Sequence, residues 1–320
     1  MPSAEVIAAG LRSGDRRALA RVMSWIEAGD YRADQATEAL SPNGSTSYFV
    51  GITGAPGAGK STLTSQLIAT MRRAEQSVAV LAIDPSSPLS GGALLGDRIR
   101  MAEHVHDPGV YIRSMATRGE LGGLAQAVPA GLRALEAFGF DWLIVETVGV
   151  GQVQVDVAEQ ADSTLVVVNP GWGDDVQASK AGILEIADIF VVNKADRPGV
   201  DDTVLELSAV LEFAKPRAWK TPIVKCVGHT GQGVDVLWQA LLDHRAHMTA
   251  GGGYDQRRRK RRLRNLTSAI HRLALRNAQQ RFHSGDFADI IDATASGVMD
   301  PMAAAHHILG VEAPVRLRAT

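Results

Sequence analysis

The stretch from Gly54 to Ser61 constrains this chain more than any other. Gly54, Ala55, Pro56, Gly57, Ala58, Gly59, Lys60 and Ser61 spell G-x-x-x-x-G-K-[ST]. Tyr48 to Ile52 precede it as an apolar, β-branched run that reads as a buried strand. Leu63, Leu67 and Ile68 follow at helical spacing. Strand, glycine loop and helix form the context in which this pattern binds phosphate. The glycines let successive backbone N–H groups turn inward around phosphate oxygens. Gly54 to Thr62 are therefore the expected nucleotide cradle, with Lys60 neutralising the β- and γ-phosphates and the Ser61 hydroxyl binding Mg²⁺.

Five further apolar runs follow the strand at Tyr48: Val78 to Ile83, Trp142 to Val145, Thr164 to Val168, Ile189 to Val192 and Ile223 to Val227. They are apolar on both faces, as strands of a parallel sheet are. Helical stretches separate them, which predicts an α/β fold with a doubly wound, mainly parallel sheet. The first four of these runs end at Asp84, Glu146, Asn169 and Asn193, at the carboxyl edge where such sheets bind ligands. Residues 1–45 read as an N-terminal helical extension, with Ala18, Leu19, Val22, Met23 and Ile26 as an apolar stripe. Residues 46–250 form the nucleotide domain, and residues 251–320 a C-terminal helical arm that opens after Gly251, Gly252 and Gly253. The arm contains Arg257, Arg258, Arg259, Lys260, Arg261, Arg262 and Arg264, a run that reads as a solvated helix start with Leu263, Leu266 and Ile270 as its apolar stripe. No aromatic residues interleave it to stack bases, so nucleic acid is not the expected partner.

At 320 residues with net charge −2, nothing draws the whole chain to nucleic acid or to a membrane. A single cysteine, Cys226, excludes an intrachain disulfide framework and a cysteine-rich zinc site. No apolar run reaches the roughly 18 residues of a membrane span. The first residues lack the basic start and apolar core of a signal peptide, so a cytoplasmic location is expected.

Asn193, Lys194, Ala195 and Asp196 form N-K-x-D after a strand. An aspartate carboxylate accepts hydrogen bonds from both the ring N–H and the exocyclic amine of guanine. Adenine lacks these donors and would leave that carboxylate unpaired. The expected nucleotides are thus GTP and GDP. Glu146, Thr147, Val148 and Gly149 occupy the place of D-x-x-G, where the acid supports Mg²⁺ and the Gly149 amide senses the γ-phosphate. Val150 stands where a water-orienting glutamine follows in Ras-like enzymes, and Gln152 lies two residues on, so slow intrinsic hydrolysis is expected. Asp84 and Asp97 can complete an oxygen-only Mg²⁺ shell with Ser61 and Glu146. Val227, Gly228 and His229 occupy the last guanine loop, where a Ser-Ala-x motif is common, leaving backbone N–H contacts but no serine. Arg98 and Arg118 read as structural or surface arginines, and the pairs His104/His106 and His244/His247 as solvated histidines.

Taken together, GITGAPGAGKSTL, DPSSPLSGGALLGDRIRM, RGELGGLA, DWLIVETVGVGQVQVDVAEQAD and GDDVQASKAGILEIADIFVVNKAD resemble the MeaB/ArgK/MMAA family over roughly residues 15–250. These are G proteins that chaperone adenosylcobalamin-dependent acyl-CoA mutases. The resemblance implies the signal-recognition-like branch of P-loop GTPases, a homodimer formed through C-terminal helices, and Mg²⁺-shell acids at Asp84, Asp97 and Glu146. It implies a family-specific loop at 171–180 whose Lys180 assists hydrolysis once the mutase is bound, so that Lys60, Glu146 and Lys180 are the expected catalytic groups. The partner class is a cobalamin-dependent acyl-CoA mutase, methylmalonyl-CoA mutase or a close relative. Two other readings are a nickel or cobalt metallochaperone GTPase, disfavoured by the lack of a His-rich tract or cysteine cluster, and a small-molecule kinase, disfavoured by the guanine motif.

Overall fold

The computed structural model describes residues 3–40, 47–84, 101–116, 123–147, 153–171, 185–213 and 218–310. The described residues form two compact units, Met1–Arg261 and Arg262–Thr320. The first is built on seven strands: β1 (Tyr48–Gly54), β2 (Val78–Asp84), β3 (Val110–Ala116), β4 (Trp142–Thr147), β5 (Ser163–Val168), β6 (Ile189–Val192) and β7 (Ile223–Lys225). Their order is β3-β2-β4-β1-β5-β6-β7, and every pairing is parallel. The α/β class and parallel sheet expected from the apolar runs are present.

Strand β3 is not among the expected strands. It lies at one edge of the sheet, and Tyr111, Arg113 and Ser114 break up its apolar residues. An edge strand is covered on fewer sides, so it tolerates polar residues that a central strand does not. Arg113 is used: its guanidinium pairs with Glu27.

The sheet is covered on both faces. Helices α1 (Ala4–Arg12), α2 (Arg16–Ala28) and α3 (Tyr31–Glu38) start at Ser3, Asp15 and Asp30, whose side chains accept from backbone N–H groups of the first turn. Their apolar stripe, including Leu11, Leu19, Val22 and Met23, shares one core with Leu81, Met115, Leu143 and Val145 of the sheet and with Leu132 and Leu135 of α5 (Gly123–Phe138). Helix α6 (Val153–Gln160) adds Val157 to that face. On the opposite face, α4 (Lys60–Arg73) and α8 (Val234–Ala250) bury Leu63, Leu67, Met71, Leu237 and Leu241 against Val50, Ile52, Val80 and Ile144. Helix α7 (Val200–Phe213) places Leu207 against Val166, Val168, Phe190 and Val192.

The basic run differs from its expected reading. It lies on α9 (Gly253–His283), and within the first unit three of its arginines turn inward rather than to solvent. Arg257 makes two hydrogen bonds to Asp188, both 2.7 Å. Arg261 bonds Asp162 at 2.9 Å and the Gln160 carbonyl at 2.9 Å, with its guanidinium 4.0 Å from the Phe49 ring centroid. Arg258 donates to the Ser47 carbonyl at 2.8 Å. The acids they meet stand at strand starts: Asp162 accepts from the Phe49 N–H at 3.0 Å and Asp188 from the Thr164 N–H at 2.9 Å. A buried carboxylate needs such partners, and charge density in the sequence reflects that need. In the second unit, Arg281 of α9 donates to the Ile308 carbonyl of α11 (Pro301–Leu309) at 2.8 Å, and α10 (Ala288–Ala295) lies between them in the chain. Leu263, Leu266, Ile270 and Leu273 remain 54–56% exposed at three-four-three spacing. Among the described residues no helix is long and apolar enough to cross a membrane.

His244 joins this amino-terminal edge. Its Nδ1 lies 2.6 Å from Ser163 Oγ and 3.4 Å from the Tyr48 hydroxyl, and its Nε2 lies 3.4 Å from Asp188. Burial pushes its pKa down to about 4, helped by Arg257 and His247 and opposed by Asp188. The folded value lies below the ordinary one near 6.5, so folding favours the neutral ring. That stabilisation is complete above the unfolded value and is lost as pH falls toward the folded value. Between pH 7 and 5 the wild-type protein should lose about 2 kcal/mol more unfolding free energy than His244→Gln. Urea unfolding of both proteins at the two pH values measures it, and equal losses would remove His244 as the cause.

Candidate nucleotide site

The phosphate loop leaves the end of β1 and enters α4, as its sequence context requires. Its tightest point is Gly54, at φ 141°, where a Cβ would stand 2.0 Å from the Val167 carbonyl oxygen. Gly59, at φ 86°, is the other close approach, with a Cβ position 2.5 Å from Asn193 Nδ2. Side chains at either position would push the loop off the sheet.

Asn193 holds this loop from the side. Its Nδ2 donates to the Ala58 carbonyl at 2.8 Å and to the Gly59 carbonyl at 3.4 Å, while its Oδ1 accepts from the Gly228 N–H at 2.9 Å. One buried side chain thus joins the phosphate loop to the loop after β7. Lys194, in left-handed conformation at φ 56°, extends Nζ to the Gly57 carbonyl at 2.6 Å. The Ala195 N–H donates to the Cys226 carbonyl at 3.0 Å, which fixes the turn that presents Asp196. Asp196 and His229 are exposed.

The last guanine loop corrects one expectation. Val227, Gly228 and His229 were to offer backbone N–H groups, but the Val227 N–H donates to the Gln232 carbonyl at 2.9 Å and the Gly228 N–H is taken by Asn193. These two amides serve the loop itself. Cys226, just before them, is buried, and burial pushes its thiol up to about 12.

At the start of α4, the Lys60 ammonium is buried and donates to the Gly54 and Ala55 carbonyls, both at 3.0 Å. Ser61 Oγ donates to Glu146 Oε1 at 2.6 Å, and both residues are buried. The structure therefore brings together Lys60, Ser61, Glu146, Asn193 and Lys194. Asp84 ends β2, two residues beyond Ala82, which pairs with Glu146. Asp97, Gly149, Val150, Gln152, Lys180, Arg98 and Arg118 lie outside the described residues.

His244 and His247 both pack on the Trp219 ring, with centroids 4.9 and 5.3 Å away, whereas His104 and His106 part. His104 is buried and its Nε2 lies 2.9 Å from the Ser65 carbonyl and 3.0 Å from Ser65 Oγ, whereas His106 is exposed. His104 and His244 are thus core residues, not the solvated ones expected. Sequence reading also passed over Thr53 and Thr147, whose hydroxyls are 3.2 Å apart beside the phosphate loop. Their only signal was a polar β-branched residue at each strand end.

Comparison with known proteins agrees with the geometry. The family described as methylmalonyl-CoA mutase-associated GTPase MeaB matches residues 19–281. A provisionally named GTPase of Pyrococcus horikoshii is 45% identical over 303 residues, covering 93% of this chain and 95% of that protein. The GTPase ArgK of Escherichia coli is 35% identical, covering 78% of each chain. The crystal structure of a LAO/AO transport system kinase superposes with a TM-score of 0.70 at 25% identity, covering 95% of this chain and 96% of that one.

Asn193→Ala should leave the Gly228 N–H and the Ala58 carbonyl without this partner, each costing about 1–3 kcal/mol. GDP and GTP affinity should both fall at least about tenfold. Titration with fluorescent nucleotides measures this, and unchanged affinities would show that the loops hold their places without the bracket. A phosphate loop braced by the asparagine of N-K-x-D, within a chain matched over most of its length, has one assignment: the chain belongs to the MeaB family of methylmalonyl-CoA mutase-associated GTPases and is a GTPase.

Proposed function

We propose that this chain is a GTP-hydrolysing chaperone that gates adenosylcobalamin loading, and protects its cofactor-bound state, in a cobalamin-dependent acyl-CoA mutase, methylmalonyl-CoA mutase or a close relative. The observation that carries the nucleotide half is the Asn193 bracket between the phosphate loop and the Gly228 loop. The mutase half is supported by the family description and by the mouse relative called methylmalonic aciduria type A homolog, 32% identical over 266 residues.

In this reading the nucleotide phosphates lie on the N–H groups of Gly54 to Thr62 at the start of α4, where the helix dipole favours negative charge. Lys60, now held by two carbonyls 3.0 Å away, turns to the phosphate oxygens. Asp196 reads the guanine N–H groups, and the exposed His229 borders the base. The 2.6 Å approach of Ser61 Oγ to a buried carboxylate fits Mg²⁺, which prefers hard oxygen donors. Ser61 and Glu146 would hold it, with Asp84 and Asp97 completing the shell, and it would neutralise charge on the phosphates. Gly149 senses the γ-phosphate. Val150 supplies no water-orienting group, so hydrolysis is slow until the mutase positions the loop bearing Lys180. The exposed row Leu263, Leu266, Ile270 and Leu273 repeats at coiled-coil spacing and suits a second copy of the chain, so the protein acts as a homodimer through its C-terminal helices.

Asp196→Asn should shift preference from GTP toward xanthosine triphosphate, and retained GTP affinity would remove the guanine assignment. Adding the cognate mutase should raise the hydrolysis rate, and Lys180→Ala should abolish mainly that rise. A fast basal rate indifferent to any acyl-CoA mutase would sink the gating role.

A further inference from the structure

At the carboxyl edge of the sheet, the ladder between β1 and β4 stops before the strands do. Its register runs from Tyr48 opposite Trp142 to Ile52 opposite Glu146. Beyond that point β1 continues against β5, with Thr53 opposite Val166 and Gly54 opposite Val167. Strand β4 continues against β2, with Thr147 opposite Ile83. The sheet therefore divides between β1 and β4 where the phosphate loop departs. Open α/β sheets bind ligands at such divisions. One half carries the phosphate loop, and the other carries Glu146 and leads into Val148 and Gly149.

Side chains span the division on both faces. On the α4 face the contact is Ser61 with Glu146. On the other face Thr147 Oγ1 donates to Thr53 Oγ1 at 3.2 Å. Both threonines are fully or almost fully buried, on a face otherwise lined by Phe49, Leu143 and Val145. Valine would fill the same volume, suit a strand equally well and avoid removing two hydroxyls from water. A polar pair there calls for a role that shape alone does not supply.

We infer that the Thr53–Thr147 hydrogen bond is a tie that sets the width of the crevice between the phosphate-loop half and the Glu146 half of the site, which makes Thr147 a positioning residue for recognition of the γ-phosphate. The Ser61–Glu146 contact uses the same oxygens that would hold Mg²⁺, so nucleotide binding exchanges it. The threonine pair lies on the other face of the sheet from those oxygens. In the assignment above, the α- and β-phosphates of either nucleotide rest on the cradle of β1 and α4. That assignment gives sensing of the γ-phosphate to Gly149, two residues after Thr147 in the chain, so a shift of the β4 end falls more on GTP than on GDP. This inference rests on the nucleotide-site assignment above.

The test uses the full-length protein with Thr147→Val, which keeps the shape, and Thr147→Ser, which keeps the hydroxyl. Each is titrated with fluorescent GDP and with a fluorescent non-hydrolysable GTP analogue in the presence of Mg²⁺. Thr147→Val should weaken the analogue about fivefold relative to GDP, the scale of one net hydrogen bond. Thr147→Ser should leave the ratio at the wild-type value. Equal weakening of both nucleotides, or an unchanged ratio, overturns the tie. If Thr147→Val does not fold, Thr53→Val breaks the same bond from the other strand and the same ratio decides. A wild-type protein that binds no GDP would overturn the nucleotide-site assignment itself, whereas GDP binding with an unaltered variant ratio overturns this inference alone.

Discussion

The site depends on one buried amide side chain. Asn193 satisfies two carbonyls of the phosphate loop and one N–H of the loop after β7, and it does so from the end of a third element, β6. A glycine-rich loop has little intrinsic preference for a single shape, because glycine loses more conformational freedom on ordering than other residues. The loop holds its shape because its carbonyls are occupied: by Asn193 and Lys194 from beyond it, and by its own Lys60 at Gly54 and Ala55. The glycine-rich loop, the end of β6 and the loop after β7 are therefore built as one piece.

The opposite edge of the sheet is organised by charge. Asp162 and Asp188 accept the N–H of the second residue of a neighbouring strand and are neutralised by Arg261 and Arg257. Removing either arginine would leave a buried carboxylate uncompensated, which is far costlier than losing a surface pair. The same edge holds His244 neutral, and the sheet thus carries its electrostatic ties at one end and its ligand groups at the other.

Six of seven strands were legible: β1, β2, β4, β5 and β6 because strands buried on both faces are mostly apolar, and β7, the other edge strand, because Ile223, Val224, Cys226 and Val227 flank the exposed Lys225. Strand β3 was not, because an edge position lets Arg113 pair with Glu27 in the middle of the strand. The helices of residues 3–40 were legible from the stripe of Leu19, Val22 and Met23, but their sharing a core with Leu81 and Leu143 was not, since periodicity says which face is buried and not against what. The arginine run was legible as charge only. Its partners lie 69 to 211 residues away in sequence, beyond the reach of any local pattern.

The sequence by itself determined that a strand, a glycine loop and a helix follow one another at Gly54 to Ser61 and that N-K-x-D stands just after a strand, because these depend on residue type and local spacing. Tertiary structure alone decided that the Gly228 N–H is spent on Asn193, that Ser61 meets Glu146 at 2.6 Å, and that Thr53 and Thr147 bridge the division of the sheet. Each of these joins segments far apart in the chain, and which hydrogen-bonding groups remain for a ligand is settled only after the fold has used the others.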